Sequence, residues 1–337
     1  MSTENMTAAC LDIIGETEPD DYILDIEEHR KRYKEVPELV ELLSPESIKL
    51  GVSEYHHWDK KALEAQATFN KWQKRGLWLT FLAAAFGIML ASYSGISALL
   101  DLSDAYSNYA VGFLMVLTVS TAGLGSVAVS QIGGSGFLGE WMQNRSRAEN
   151  ERLAYFRDLG GLALAKGEQK TCLLMFYYFV RYQLDIQLNY YTTKSDFHKL
   201  KGRKLNIAAS VALGVVAIIN GISGALGITD LAWTSIAGFA LIANAYASML
   251  TNQESVNQHN RNAARYQSTR DILFKLKKES DAVVSGIKEG DLDLLTTFID
   301  AVQEPISAEN RQWVANFEDR NTAIGKLRES LQKHLDK

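Results

Sequence analysis

The chain has 337 residues and a net charge of −5, from 35 Lys and Arg against 40 Asp and Glu. No basic patch with interleaved aromatics stands out, which argues against nucleic acid as a partner. The two cysteines, Cys10 and Cys172, lack metal or redox spacing and are expected as free thiols on the cytoplasmic side.

Residues 1–54 hold 14 acidic and 5 basic residues, a balance of −9 that leaves +4 for the remainder. Within them, Asp20 to Leu43 mixes charges with Ile23, Ile26, Val36, Leu39, Leu42 and Leu43, and Pro37 and Pro45 break the pattern. This predicts an acidic cytoplasmic segment of weak helices, either a solvated tail or one that docks on a partner.

Residues 55–139 form the next unit. A helix over 55–75 feeds Gly76 to Leu100, which runs 25 residues without a charge. Asp101 and Asp104 interrupt, and Ala105 to Gly139 gives 35 more uncharged residues. About 20 apolar residues cross the roughly 30 Å hydrocarbon core of a bilayer. With no water there for backbone groups, each run must be helical. The pair reads as a transmembrane hairpin. Trp72 and Trp78 bracket the expected headgroup level. The Gly133-Gly134-Ser135-Gly136 cluster reads as a loosened cytoplasmic end of the second span, or a hinge, because the Lys and Ser/Thr of a phosphate-binding loop do not follow it.

Residues 140–204 are expected as a cytoplasmic helical linker. Glu140 to Ala165 favours helix apart from Gly160-Gly161, and Gly167 offers a turn. Thr171 to Val180 is apolar and aromatic but too short to span, with Lys170 before it and Arg181 after. It predicts the buried core helix of a cytoplasmic bundle or an oligomer contact. The hairpin pattern then recurs over 205–253. Leu205 to Thr229 and Leu231 to Gln253 are uncharged runs of 25 and 23 residues on either side of Asp230. None of the four prolines falls within a span, which favours unbroken helices.

Residues 254–337 predict cytoplasmic C-terminal helices: Glu254 to Ser280, turns at Gly286 and Gly290, Leu292 to Val302 stopped by Pro305, and a last helix from Ser307 to Leu335 capped by Ser307. The fold class is thus all-α: an integral membrane protein with four transmembrane helices as two tandem hairpins and a cytoplasmic helical bundle. Orientation follows from the basic residues. Lys71, Lys74 and Arg75 precede the first span, Arg145 and Arg147 follow the second, Lys199, Lys201, Arg203 and Lys204 precede the third, and Arg261, Arg265 and Arg270 follow the fourth. Neither turn contains Lys or Arg. Cytoplasmic N- and C-termini and outward turns follow, in the inner (plasma) membrane.

Small residues recur every four positions in three spans: Ala83, Gly87, Ala91 and Gly95; Ala122, Ser126, Ser130 and Gly134; Ala217, Gly221 and Ala225. Such stripes let helices approach closely, within one protomer or between copies of a homo-oligomer. The fourth span carries Asn244, Ser248 and Asn252 one turn apart, and Asn220 lies deep in the third. Amides in hydrocarbon need partners. They predict either a hydrogen bond between helices, such as Asn220 to Asn244, or a polar ring around an ion or water path. With no Asp, Glu, Lys, Arg or His inside a span, a proton relay or voltage sensor is not expected. The six histidines are scattered, and His56-His57 have poor ligand spacing. No catalytic residue, cofactor or metal is therefore expected.

A two-span hairpin feeding a long cytoplasmic helix, then Ser307, Glu309, Asn310 and Trp313 after Phe298 to Glu304, resembles the SLATT family of bacterial membrane effectors. The Ala154 to Leu159 stretch is also similar, and the resemblance covers roughly residues 55–330. Two hairpins stand here where the usual unit has one. The resemblance implies a role in bacterial antiphage and conflict systems, with a cytoplasmic sensor or nucleotide-signalling partner triggering membrane disruption or pore formation. A non-conducting scaffold that recruits a soluble partner is the alternative.

Overall fold

A computed structural model of the chain describes residues 3–99, 104–132, 136–225 and 231–315, together with 322, 324–326 and 329. Among these residues all regular secondary structure is helical, without strands. The helices are α1 (Thr3–Ile14), α2 (Ile26–Arg32), α3 (Pro37–Leu42), α4 (Glu46–Leu99), α5 (Asp104–Ile132), α6 (Phe137–Lys166), α7 (Gln169–Phe179), α8 (Ile186–Ala225), α9 (Leu231–Asn257), α10 (His259–Lys278), α11 (Ser280–Glu289) and α12 (Leu294–Ala315). A 3-10 turn at Pro19–Tyr22 precedes α2, and a π-helix at Val180–Asp185 joins α7 to α8.

The chain gathers into two compact units. The first takes Met1–Leu63, Met142–Phe197 and Arg261–Ala315. Its centre is α7. Every residue of Gln169–Phe179 after Lys170 is buried except Tyr177, and burial continues through Arg181 to Leu184. A helix enclosed on all sides must be apolar all round, which explains the unbroken Cys172 to Phe176 run. Phe156, Leu159 and Ala163 of α6 pack in the same core, as do Phe298, Ile299, Val302 and Ile306 of α12.

The N-terminal segment packs apolar residues into this core and leaves most of its charged side chains exposed. Cys10, Ile14, Leu24, Ile26, Tyr33, Leu39, Leu42 and Leu43 are all buried in this core. It packs on the chain itself, and part of the acidic charge is paired there. Lys170 reaches Glu38 at 2.5 Å, and Lys166 pairs with Glu41. Asp25 caps α2 by accepting from the Glu27 and Glu28 amides, and Pro37 opens α3, where its missing N–H costs nothing.

Three C-terminal expectations change. Gly286 lies inside α11, where a Cβ would collide with Leu294, so it serves close packing and not a turn. Gly290 does end that helix, with φ of 101°. Pro305 does not stop a helix, and Ser307 does not cap one, because α12 runs through both. A proline inside a helix costs ~3 kcal/mol. Here the buried Phe298, Ile299, Val302 and Ile306 form one apolar face that continues across the proline, and its burial offsets that cost. Likewise α6 passes through Gly160-Gly161 without a break. A Cβ at Gly160 would lie 2.5 Å from Ile299 Cδ1, so that glycine lets α12 approach.

The second unit contains Glu64–Trp141 and His198–Asn260. Within it α4 packs on α5, where a Cβ at Gly76 would meet Val129 Cγ2 at 3.2 Å. It also packs on α9, with Phe81 edge-on to Tyr246 at 5.6 Å and Gly238 against Ser92. Among the described residues three stretches are long and apolar enough to cross a membrane: Glu46–Tyr93, Tyr106–Lys166 apart from 133–135, and Gln169–Ser223. One-third of the most apolar stretch of the first is buried, and only 6% of that of the last. The fourth expected span, α9, is a helix of 27 residues and is not among the three. Asp101, Asp230, Gly133 and Gly134 lie outside the described residues, so both turn positions and most of the glycine cluster do too.

Candidate functional site

Two groups of side chains invite a functional reading. The first surrounds the π-helix in the first unit. Arg181 donates from Nε to Asp21 Oδ2 at 2.7 Å and from Nη2 to Asp21 Oδ1 at 3.2 Å, a two-pronged pair in which both side chains are buried. Its Nη1 donates to the Ile14 carbonyl, the last residue of α1. Burial works against the Arg181 charge, but Asp21 and the surrounding oxygens outweigh it and its pKa is raised. Arg32 adds a bond to Asp21 at 3.3 Å and one to Tyr182 Oη at 3.3 Å. Tyr33 and Tyr182 share a hydrogen bond at 2.9 Å, as do Tyr155 and Tyr178 at 2.7 Å. His29 Nδ1 completes the chain at 2.6 Å from Tyr178 Oη.

This network ties the end of α1, the 3-10 turn and α2 to the wide turn between α7 and α8. Burial pushes the Tyr178, Tyr155 and Tyr33 hydroxyls far up, so all stay protonated and none is a base. Its chemistry is clamping. Polar groups enclosed this way are stable only when satisfied together.

Acidification tests the clamp. Burial, with the Arg32 charge beside it, holds the His29 imidazole at about 4 against its ordinary 6.5. Above pH 6.5 the ring is neutral in the folded and unfolded chains alike and adds no pH dependence. Below 6.5 the unfolded chain takes up a proton that the folded chain refuses until about pH 4, so stability falls across that window and then levels. The expected loss is on the order of 3 kcal/mol. Denaturant unfolding from pH 7 to 4 should record it, and His29→Gln should remove that part of the slope. An unchanged slope in the variant would assign the effect elsewhere.

The second group lies on the apolar helices. Asn244 and Ser248 are exposed on α9 and Asn252 is half-buried; Asn220 is exposed on α8. Among the described residues neither Asn220 nor Asn244 makes a side-chain hydrogen bond, so the expected bond between them does not form. The small-residue stripes divide. Ala83 and Ala122 are wholly buried, Gly87 and Ser126 half-buried, Ala91 and Ser130 exposed. Gly95 lies within α4, and Gly134 is outside the described residues. On α8 the whole stripe of Ala217, Gly221 and Ala225 is exposed, and a Cβ at Gly221 would meet nothing within 4 Å.

One pairing has no local signal in the sequence. His198 and His259 stand with Nδ1 atoms 2.8 Å apart in the second unit, although 61 positions separate them. One ring must donate to the other. Among the described residues no group of three or more His, Cys, Asp or Glu side chains gathers there. The thiols are also quiet: burial pushes both Cys10 and Cys172 up to about 11.

An all-helical chain with three runs long and apolar enough for a bilayer has the build of a membrane protein. Residues 179–313 match the family model described as SMODS and SLOG-associating 2TM effector domain 1, which supports a SLATT-type effector. The match begins at the π-helix, takes in α8 to α11 and ends in α12 at Trp313. It includes Ser307, Glu309, Asn310 and Trp313; the first apolar pair, α4 and α5, and the Ala154 to Leu159 stretch fall outside it. No curated protein and no solved structure matches the chain.

Proposed function

We propose that the chain is a bacterial inner-membrane effector with four spans, which assembles as a homo-oligomer and opens a regulated pore in a conflict or antiphage response. The observation that carries this reading is the amide face. Asn244, Ser248 and Asn220 lie exposed on apolar helices, and neither amide is bonded within the described protomer. An amide against lipid is costly, so these groups require water or a second copy of the chain. A ring of neutral amides and hydroxyls gives both, replacing part of an ion's hydration without holding the ion tightly. The exposed Ala217, Gly221 and Ala225 stripe on α8 supplies a face for close contact between copies. The π-helix clamp sits at the first residues of the SLATT match, where a cytoplasmic sensor or nucleotide-signalling partner could act on it. The non-conducting scaffold remains the competing assignment, and ion flux separates the two.

The segregation of Lys and Arg to one side of each span carries the topology. Cysteine placed at Ser103 should react with an impermeant thiol reagent on intact cells. Cysteine placed at Ser285, an exposed position of α11, should react only after the membrane is opened. Ser195 cannot serve as the inside probe, because it is buried and donates to the Ala263 carbonyl at 3.1 Å. Cys10 and Cys172 give little background, being buried and held as thiols, whereas the thiolate is the reactive form. The opposite labelling would overturn this topology.

A further inference from the structure

Several cations of the first unit are matched. Arg32, Arg145, Lys166, Lys170, Arg181 and Lys277 each have a carboxylate partner. Two groups in the second unit are not. Lys71, Lys74 and Arg75 on α4 are exposed and, among the described residues, make no ion pair. Lys199, Arg203 and Lys204 on α8 are likewise exposed and without ion pairs. Each group ends on the residue before an uncharged run, at Gly76 and at Leu205.

Their companions are as telling as their charge. On α4, Arg75 stacks over the Trp72 ring at 5.2 Å, and Trp78, three residues further on, is 45% exposed. On α8, Leu200 is 53% exposed among the cations, and the exposed Ile207 and Val211 continue on the same arc of the helix. The opposite arc holds Gly202, pressed against Asn260, and the buried Ala212. On α8, cations and a leucine followed by bare aliphatic surface give the order of a bilayer leaflet from headgroup to tail, and on α4 the cations are followed by the exposed Trp78.

We propose that these two collars bind the phosphate groups of anionic phospholipids, and that this contact fixes the depth of α8. The helix needs such a contact because its apolar length has few protein neighbours. Lysine and arginine stems lie along the apolar surface while their heads reach the headgroup phosphates, where Arg203 and Arg75 donate in a fork and the lysines act as point charges. A nucleic acid partner would also meet cations, but not the continuous apolar surface beside them.

The inference rests on the membrane reading above, and its test keeps the two apart. The full chain is placed in nanodiscs of phosphatidylcholine with increasing phosphatidylglycerol, and native mass spectrometry counts the lipids retained. Wild type should keep phosphatidylglycerol over phosphatidylcholine, less so as salt rises, since exposed charges are screened within about 8 Å at physiological ionic strength. Each cation contributes about fivefold. The variant Lys199→Gln, Arg203→Gln, Lys204→Gln should therefore lose on the order of 100-fold of the preference, with its helicity and assembly unchanged. The matching α4 variant should lose a similar share. Equal retention of both lipids by an integrated wild type, or an undiminished preference in both variants, overturns the collars alone. A chain that alkaline washing strips from membranes overturns the membrane reading and the collars with it.

Discussion

Arg181→Met should destabilise the first unit by on the order of 3 kcal/mol, among the largest effects of any single polar change in the chain. Both members of the pair are buried, at 5% and 4% side-chain exposure, and the arginine holds both oxygens of Asp21. Truncating it leaves a carboxylate in the core with Arg32 at 3.3 Å and the Glu18 amide at 2.7 Å as remaining donors. The Ile14 carbonyl also loses a donor and keeps the Tyr33 hydroxyl. The pair need not be stabilising against an apolar substitute, since two ions have been taken out of water. Arg181→Met combined with Asp21→Leu should accordingly recover most of the loss. Denaturant unfolding of the single and double variants measures both, and early proteolysis after α1 should accompany the single change. A single variant as stable as wild type would mean that the clamp does not hold the N-terminal segment.

On the amide face, Asn244→Leu and Ser248→Leu should each lower conductance severalfold while the assembled complex keeps its size. A pore wall loses its substitute hydration at those positions, whereas exposed sites on α9 tolerate leucine without a packing clash. Asn244→Asp should shift selectivity toward cations, because symmetry turns one carboxylate into a ring. Recordings on purified variants measure each change. Three variants with wild-type conductance and selectivity would remove this face from the conducting path.

The helices of this chain are legible because charge is absent over long runs and proline is kept out of them. The 54-residue α4 joins the predicted helix to the predicted apolar run, and the burial of Cys172 to Phe176 follows from an apolar run too short to span. Other features depend on contacts between distant residues. Ile26, Leu39 and Leu42 alone do not reveal that their partner is α7, more than a hundred residues on. Pro305 and Gly286 carry strong local signals, and packing by α12 overrides both. The π-helix has no local signature, since Arg181 after an apolar run reads as a boundary until Asp21 is brought to it. The amide face was legible as a set of residues, and the exposure of Asn220, Asn244 and Ser248 required the fold.

The most direct test is ion flux from liposomes loaded with salt and reconstituted with the full wild-type chain at rising protein density. High density populates an assembly by mass action, in place of the activating partner. The account predicts leakage that grows more steeply than linearly with density. Vesicles that stay sealed at every density, with the chain demonstrably integrated and assembled, would contradict the pore and leave the scaffold.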